Sequence, residues 1–246
     1  MRTSPSAILL TALLSAGVSS PAEGAERNAF DEEMALSRAI ARFEKHQTNA
    51  GEARIPSGVL ASAKGIVIFP STAPRGMAEE TPEVKGVASL KLEPSGKWGP
   101  PGFVRLREGE YSPLRGDEGT GLALLIMTDK GTRNLYGKKW IFGKNVAAAD
   151  GPFGREAEPR FLRLLLKRHS VLSYLLSDRL QGGVDLQGAL VAPDARANAN
   201  FYGREISLKK TLRDEGRGNL PDLADRFMRT LNKLASQRDA GPNGLD

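Results

Sequence analysis

Residues 84–127 set the tightest limit on the fold. Three short β-like runs, 87–92, 103–106 and 122–127, are separated only by stretches containing glycine and proline. These connections are too short for crossover helices, so the runs predict an antiparallel meander. Ahead of them, Gly65 leads into Ile66-Val67-Ile68-Phe69, which Pro70 stops, and this predicts a buried strand. Residues 71–82, with Pro74, Gly76 and Pro82, predict an exposed loop.

Helical patterns flank this block. Asn28 and Asp31 suit a helix start, and Leu36, Ile40 and Phe43, with Ala29 and Ala39, share one face of a helix ending near His46. Residues 57–64 predict a short helical stretch, and Thr128-Asp129 caps another that runs to Tyr136. Pro159 opens the clearest helix, extending to about Asp178, and Pro193-Asp194 starts one to Tyr202. Residues 220–236 form a final amphipathic helix. Weaker strands are expected at 140–142 and 145–149, and a further one at 183–191. Strands and helices come in blocks, so the expected fold is α+β, an antiparallel β-rich single domain with a barrel-like or strongly curved sheet and flanking helices.

The N-terminus indicates a compartment. Arg2 precedes an apolar run of 12 residues, 7–18, which suits a signal-peptide core and is shorter than the roughly 20 residues a membrane-spanning helix needs. Ala22-Glu23-Gly24 places small residues at the −3 and −1 positions of a cut after Gly24. The alternative is an uncleaved N-terminal anchor. The expectation is a periplasmic or secreted protein, divided into a signal peptide (1–24), a helix and loop (25–54), the main domain (55–204) and a helical extension packing on it (205–246). With no cysteine, disulfides, thiolate chemistry, cysteine–zinc sites and lipidated cysteine anchors are all excluded.

Fragments that resemble catalytic motifs fail on spacing. Gly131 and Gly137-Lys138-Lys139 enclose five residues where a phosphate-binding loop has four, and Lys139 stands where Ser or Thr is needed. Gly119-Thr120-Gly121 lacks a third glycine at Leu124, and no Gly-x-Ser-x-Gly elbow is present. Asp117-Glu118 reads as a solvated turn rather than a cation site. His169 lies between cations and a serine on the expected helix, with no adjacent nucleophile, and reads as a surface residue. No enzyme, cofactor, metal site or nucleic-acid partner is expected.

Charge is concentrated instead. Residues 130–168 hold ten Lys or Arg against Asp150, Glu156 and Glu158, a net of +7, whereas the whole chain carries +6. On the helix after Pro159, Arg160, Arg163 and Lys167 recur at helical spacing, while Phe161, Leu164, Leu165, Leu172 and Leu175 line much of the other side. Lys138-Lys139-Trp140 joins two cations to an amphipathic ring suited to a membrane–water boundary. Two readings fit: a lipid-facing surface, or a solvated basic face with Trp140 in the core.

Several segments resemble the SYLF domain family, a lipid-binding module also described as the yeast-type actin-binding domain. They are Ile55-Pro56 with Ala63-Lys64-Gly65-Ile66-Val67-Ile68-Phe69-Pro70, Gly96-Lys97-Trp98-Gly99-Pro100, Leu124-Leu125-Ile126-Met127, and Ala147-Ala148-Ala149-Asp150-Gly151-Pro152-Phe153-Gly154-Arg155. Leu172-Ser173-Tyr174, Leu186-Gln187-Gly188-Ala189, and Asp194 with Asn198 and Tyr202-Gly203 continue the match, which covers about 55–204. The resemblance implies a compact, non-catalytic, β-rich domain that associates with anionic lipids; eukaryotic members bind phosphoinositides and some bundle actin. With its export signal this chain is similar to bacterial envelope members, for which actin binding is not expected. It departs from the family at 72–85 and 107–120, where glycine-rich stretches are usual, and at Leu176 and Gln181, where the family carries a cation and an aromatic.

The combined expectation is binding of anionic phospholipid headgroups at a membrane surface through Lys138, Lys139, Lys144, Arg155, Arg160, Arg163, Lys167 and Arg168, with Trp140 inserting. A second expectation is an envelope protein partner docked through Leu223, Phe227, Leu231 and Leu234. A third, a hydrolase, needs a cleft uniting His169 with an acid and a nucleophile.

Overall fold

The computed structural model describes residues 21–71, 83–107, 120–137, 140–143, 148–153, 157–177, 186–214 and 219–237. The elements in chain order are α1 (Pro21–Asn49), α2 (Ser57–Ser62), β1 (Gly65–Phe69), β2 (Glu83–Leu92), β3 (Lys97–Trp98), β4 (Gly102–Arg107), β5 (Gly121–Ile126), α3 (Asp129–Leu135), β6 (Trp140–Ile141), β7 (Ala148–Asp150), α4 (Pro159–Leu166), β8 (Val171–Leu176), β9 (Leu190–Pro193), α5 (Ala195–Tyr202), α6 (Leu208–Leu212) and α7 (Asp222–Ser236). The expected loop at 72–82, most of the 107–120 departure, Gln181 and most of the signal segment lie outside the described residues. α1 runs through Gly24, the expected cut.

The fold is α+β, with a strongly curved mixed sheet forming a half-barrel against flanking helices. Strand order is β6-β9-β4-β2-β1-β5-β8-β7, with β3 also paired to β2. Among the described residues every pairing is antiparallel except β7 with β8.

The meander holds only for β1, β2 and β4. β5 returns to the far side of β1, where Ile66 pairs with Leu125 and Ile68 with Ala123, instead of lying beside β4. β1 and β5 are both buried along their whole length, so pairing them removes two strands without a polar face from water together. The helix expected to reach Asp178 stops at Leu166, and 171–176 is β8, hydrogen-bonded between β5 and β7. A continuous apolar run fits a two-sided buried strand as well as a helix, and periodicity cannot separate them. The strand expected over 183–191 spans Leu190–Pro193, after a turn at Gln187-Gly188; residues 178–185 lie outside the described set.

Two apolar cores result. On one face of the sheet Val87, Phe103, Leu125, Leu172 and Tyr174 pack with Leu36, Ile40 and Phe43 of α1 and Phe227 and Leu231 of α7. The second core gathers Val67, Phe69, Val104, Leu124 and Val191 with Leu135 of α3, Leu208 and Leu212 of α6, and Trp140. Its cluster takes the alternate residues of the same strands, which places it on the opposite face.

Polar ties fix the helices to the sheet. Burial pushes the Glu32 carboxyl of α1 up, although Lys85 of β2 pairs with it at 3.3 Å. Asp194 caps α5 by accepting from the Ala197 amide at 3.0 Å, and Gly203, at φ 64°, ends the helix. Asn198 accepts from the Phe103 amide at 3.0 Å and donates to the carbonyls of Phe103 (2.9 Å) and Asp194 (2.7 Å), clamping α5 onto β4. Asn198→Ala leaves the buried Phe103 amide without this acceptor and is expected to destabilise the fold by about 2–3 kcal/mol, measured by urea unfolding.

Candidate functional site

The site is built on the one parallel pairing. Parallel neighbours need a crossover, and here β7, α4 and β8 follow one another in the chain. Two sequence segments noted above close this unit. The Gly151 amide donates to the Ser173 carbonyl at 2.8 Å, and the Ser173 hydroxyl to the Ala149 carbonyl at 3.3 Å. The Tyr174 hydroxyl donates to the Pro152 carbonyl at 3.2 Å, and Phe153 packs edge-on to the Tyr174 ring with centroids 5.4 Å apart. A Cβ at position 151 would collide with that ring, so only glycine fits. Burial pushes the Tyr174 phenol above its ordinary range and keeps it neutral.

The crossover displays α4. Pro159 occupies its first turn, where the missing amide costs no helical bond, and the Leu165 carbonyl receives the His169 amide just past its end. At about 100° per residue, Leu162, Leu165 and Leu166 fall on one arc. Leu162 is buried and the other two are partly buried against the helix-side core. Arg160, Arg163, Leu164, Lys167 and Arg168 fall on the opposite arc with Phe161 at its margin, and all six are exposed. Phe161 is 39% and Leu164 59% exposed; with Phe30 they are the exposed large hydrophobic residues among those described. The Arg160 guanidinium sits 4.4 Å from the Phe161 ring centroid, a cation stacked on an aromatic face.

This arrangement corrects two expectations. Trp140 is 1% exposed, its ring 5.0 Å from that of Phe142 in the second core, and it supplies no interfacial insertion. Phe161 and Leu164, assigned by sequence to the inner side, point outward. With α4 ending at Leu166, three leucines complete its inner arc, and an eight-residue helical wheel would have shown this. Arg160, Arg163, Lys167 and Arg168 come together as one exposed stripe, whereas Lys138, Lys139, Lys144 and Arg155 lie outside the described residues.

His169 sits in the turn after α4 with Nδ1 3.2 Å from the Leu165 carbonyl oxygen, so the helix it was expected to occupy has already ended. Asp117 and Glu118 lie outside the described residues, among which no three His, Asp or Glu side chains group to hold a metal ion. The docking residues of α7 are used internally: Phe227, Leu231 and Leu234 are buried in the domain's own core, and Leu223 packs against it.

A family model described as Ysc84, Las17-binding protein actin regulator, matches residues 109–234, just over half of the chain. The chain belongs to the Ysc84 (SYLF) family. That match extends past residue 204 through most of α7. Protein YSC84 of Saccharomyces cerevisiae is 28% identical over 182 residues, 74% of this chain and 38% of that protein. LAS seventeen-binding protein 3 of the same yeast is 26% identical over 211 residues, 85% of this chain and 45% of its own length. The human SH3 domain-containing YSC84-like protein 1 is 28% identical over 159 residues, 64% of this chain and 45% of that protein. The chain therefore spans less than half the length of these relatives. The Ysc84 family is described as a regulator and binding module rather than as an enzyme class.

Both tryptophans of the chain are enclosed, Trp98 at 2% and Trp140 at 1% exposure. Intrinsic emission is therefore expected at short wavelength, poorly quenched by iodide and unchanged by anionic vesicles. Red-shifted, readily quenched emission would contradict this packing.

Proposed function

We propose that this Ysc84-family chain is a non-catalytic module that binds anionic phospholipid headgroups at a membrane surface, exported to work in a cell envelope. The observation that carries the reading is the outward face of α4, where four cations surround two exposed apolar side chains. Each cation held near an anionic surface contributes about 1 kcal/mol. Phe161 and Leu164 add insertion into the headgroup boundary, the mode of an amphipathic helix lying in the interface plane. No helix among the described residues is long and apolar enough to cross a membrane. On this reading the module attaches from one side.

A protein-interaction role is the second reading, favoured by the names of relatives such as LAS seventeen-binding protein 3. The buried face of α7 argues against docking through that helix, and α4 offers a protein partner an exposed face as well.

Co-sedimentation separates the two. Pelleting with phosphatidylglycerol vesicles is expected to exceed that with phosphatidylcholine and to fall as salt rises to physiological strength, where exposed charges are screened over about 8 Å. Neutralising Arg160, Arg163 and Lys167 to Gln together should weaken binding roughly a hundredfold, on the basis of about 1 kcal/mol per cation. Equal pelleting with neutral and anionic vesicles overturns the lipid reading.

A further inference from the structure

Two cation–ring contacts occur among the described residues, and they differ in kind. Lys91 lies over the Trp98 ring at 5.1 Å while its ammonium donates to the Leu60 and Ala61 carbonyls, and the ring beneath is buried, so that contact serves packing. Arg160 lies over the Phe161 ring at 4.4 Å, and both residues are exposed. No ion pair among the described residues engages the Arg160 guanidinium.

The exposed pair stands in the first turn of α4, directly after Pro159. Leu164 falls about 40° around the helix from Arg160 and about 60° from Phe161, so the three share one patch. Helical side chains lean toward the N-terminus, which brings Leu164 back over the turn that holds the other two. The N–H donors of a guanidinium lie in its own plane, and contact through its face with a ring leaves them available.

This arrangement sets Arg160 apart from the other cations of the stripe. Arg163, Lys167 and Arg168 touch no ring among the described residues and meet an anionic surface as unoriented charges. A guanidinium whose plane is already set loses less freedom on forming paired N–H···O bonds, and its fork matches two oxygens of one phosphate. Where Phe161 and Leu164 enter the headgroup boundary, Arg160 is carried with them to the depth of the phosphates.

We propose that Arg160, held on the Phe161 ring, grips two oxygens of a single phospholipid phosphate, while Arg163, Lys167 and Arg168 supply attraction without orientation. This rests on the lipid reading of α4 given above and assigns one oriented contact within it.

The test measures binding of the full chain to phosphatidylglycerol vesicles for the parent, Arg160→Lys, Arg163→Lys, Phe161→Leu and the double variant Arg160→Lys with Phe161→Leu. Every substituted side chain is exposed, so folded spectra are expected throughout. Arg160→Lys keeps the charge and loses the fork, and binding about tenfold weaker is expected, the worth of one charge-assisted hydrogen bond. Phe161→Leu keeps an apolar side chain and removes the stack, for a loss of about threefold. The double variant is expected to bind no more weakly than Arg160→Lys alone, because the ring acts through the guanidinium. Arg163→Lys is expected to leave binding nearly unchanged. In side-chain NMR of the parent with dihexanoyl phosphatidylglycerol, the Arg160 Nε–H resonance should shift and exchange more slowly, and those of Arg163 and Arg168 should not. Arg160→Lys binding no more weakly than Arg163→Lys, additive losses in the double variant, or an unmoved Arg160 resonance overturns the proposal while the lipid reading stands. A parent chain that binds phosphatidylglycerol no better than phosphatidylcholine overturns the lipid reading, and this assignment with it.

Discussion

The central strands of this protein have no polar face. β1 and β5 are buried at every position, and β8 at all but one. A sheet with such a centre must be covered on both sides, and the cost of leaving either face wet rises with every apolar side chain exposed. One side is covered by α1, α2, α5 and α7. The other is closed by curvature of the sheet together with α3, α6 and the Trp140–Phe142 pair. The burial of Trp140 fits this constraint: among the described residues the second face carries only the short helices α3 and α6, and Trp140 of β6 helps to cover it.

The position of α4 follows from the same sheet. β7 adds to β8 in parallel, so a crossover has to leave the sheet and return, and the ring of Tyr174 seated over Gly151 fixes where it does so. The crossover helix touches the core through three leucines. Its remaining apolar residues, Phe161 and Leu164, are 39% and 59% exposed and stand among cations. An amphipathic helix normally hides its apolar residues and exposes its charges. α4 exposes both kinds, and the proposed lipid contact rests on this departure.

The parts legible in the sequence were those with local chemistry. Asp194 and Gly203 mark both ends of α5, Thr128 starts α3, and the spacing of Phe227, Leu231 and Leu234 gives the inner face of α7. Non-local features were hidden. Residues 171–176 read as helix because an unbroken apolar run has no period to reveal two-sided burial. The return of β5 to β1 depends on which strands lack a polar face, a property of pairs rather than of segments. At the site, the spacing of Arg160, Arg163 and Lys167 was readable, but Trp140 was misplaced because neighbouring lysines suggested an interface that the tertiary packing denies.

The central claim is that the outward face of α4 enters the lipid boundary. A chain without cysteine accepts a single engineered label, and an environment-sensitive fluorophore at Leu164→Cys reports that face directly. The account predicts a blue shift and a rise in emission with phosphatidylglycerol vesicles, and no change for the same label at Arg226→Cys on the exposed side of α7. An unchanged signal at Leu164→Cys, or an equal response at both positions, would contradict it.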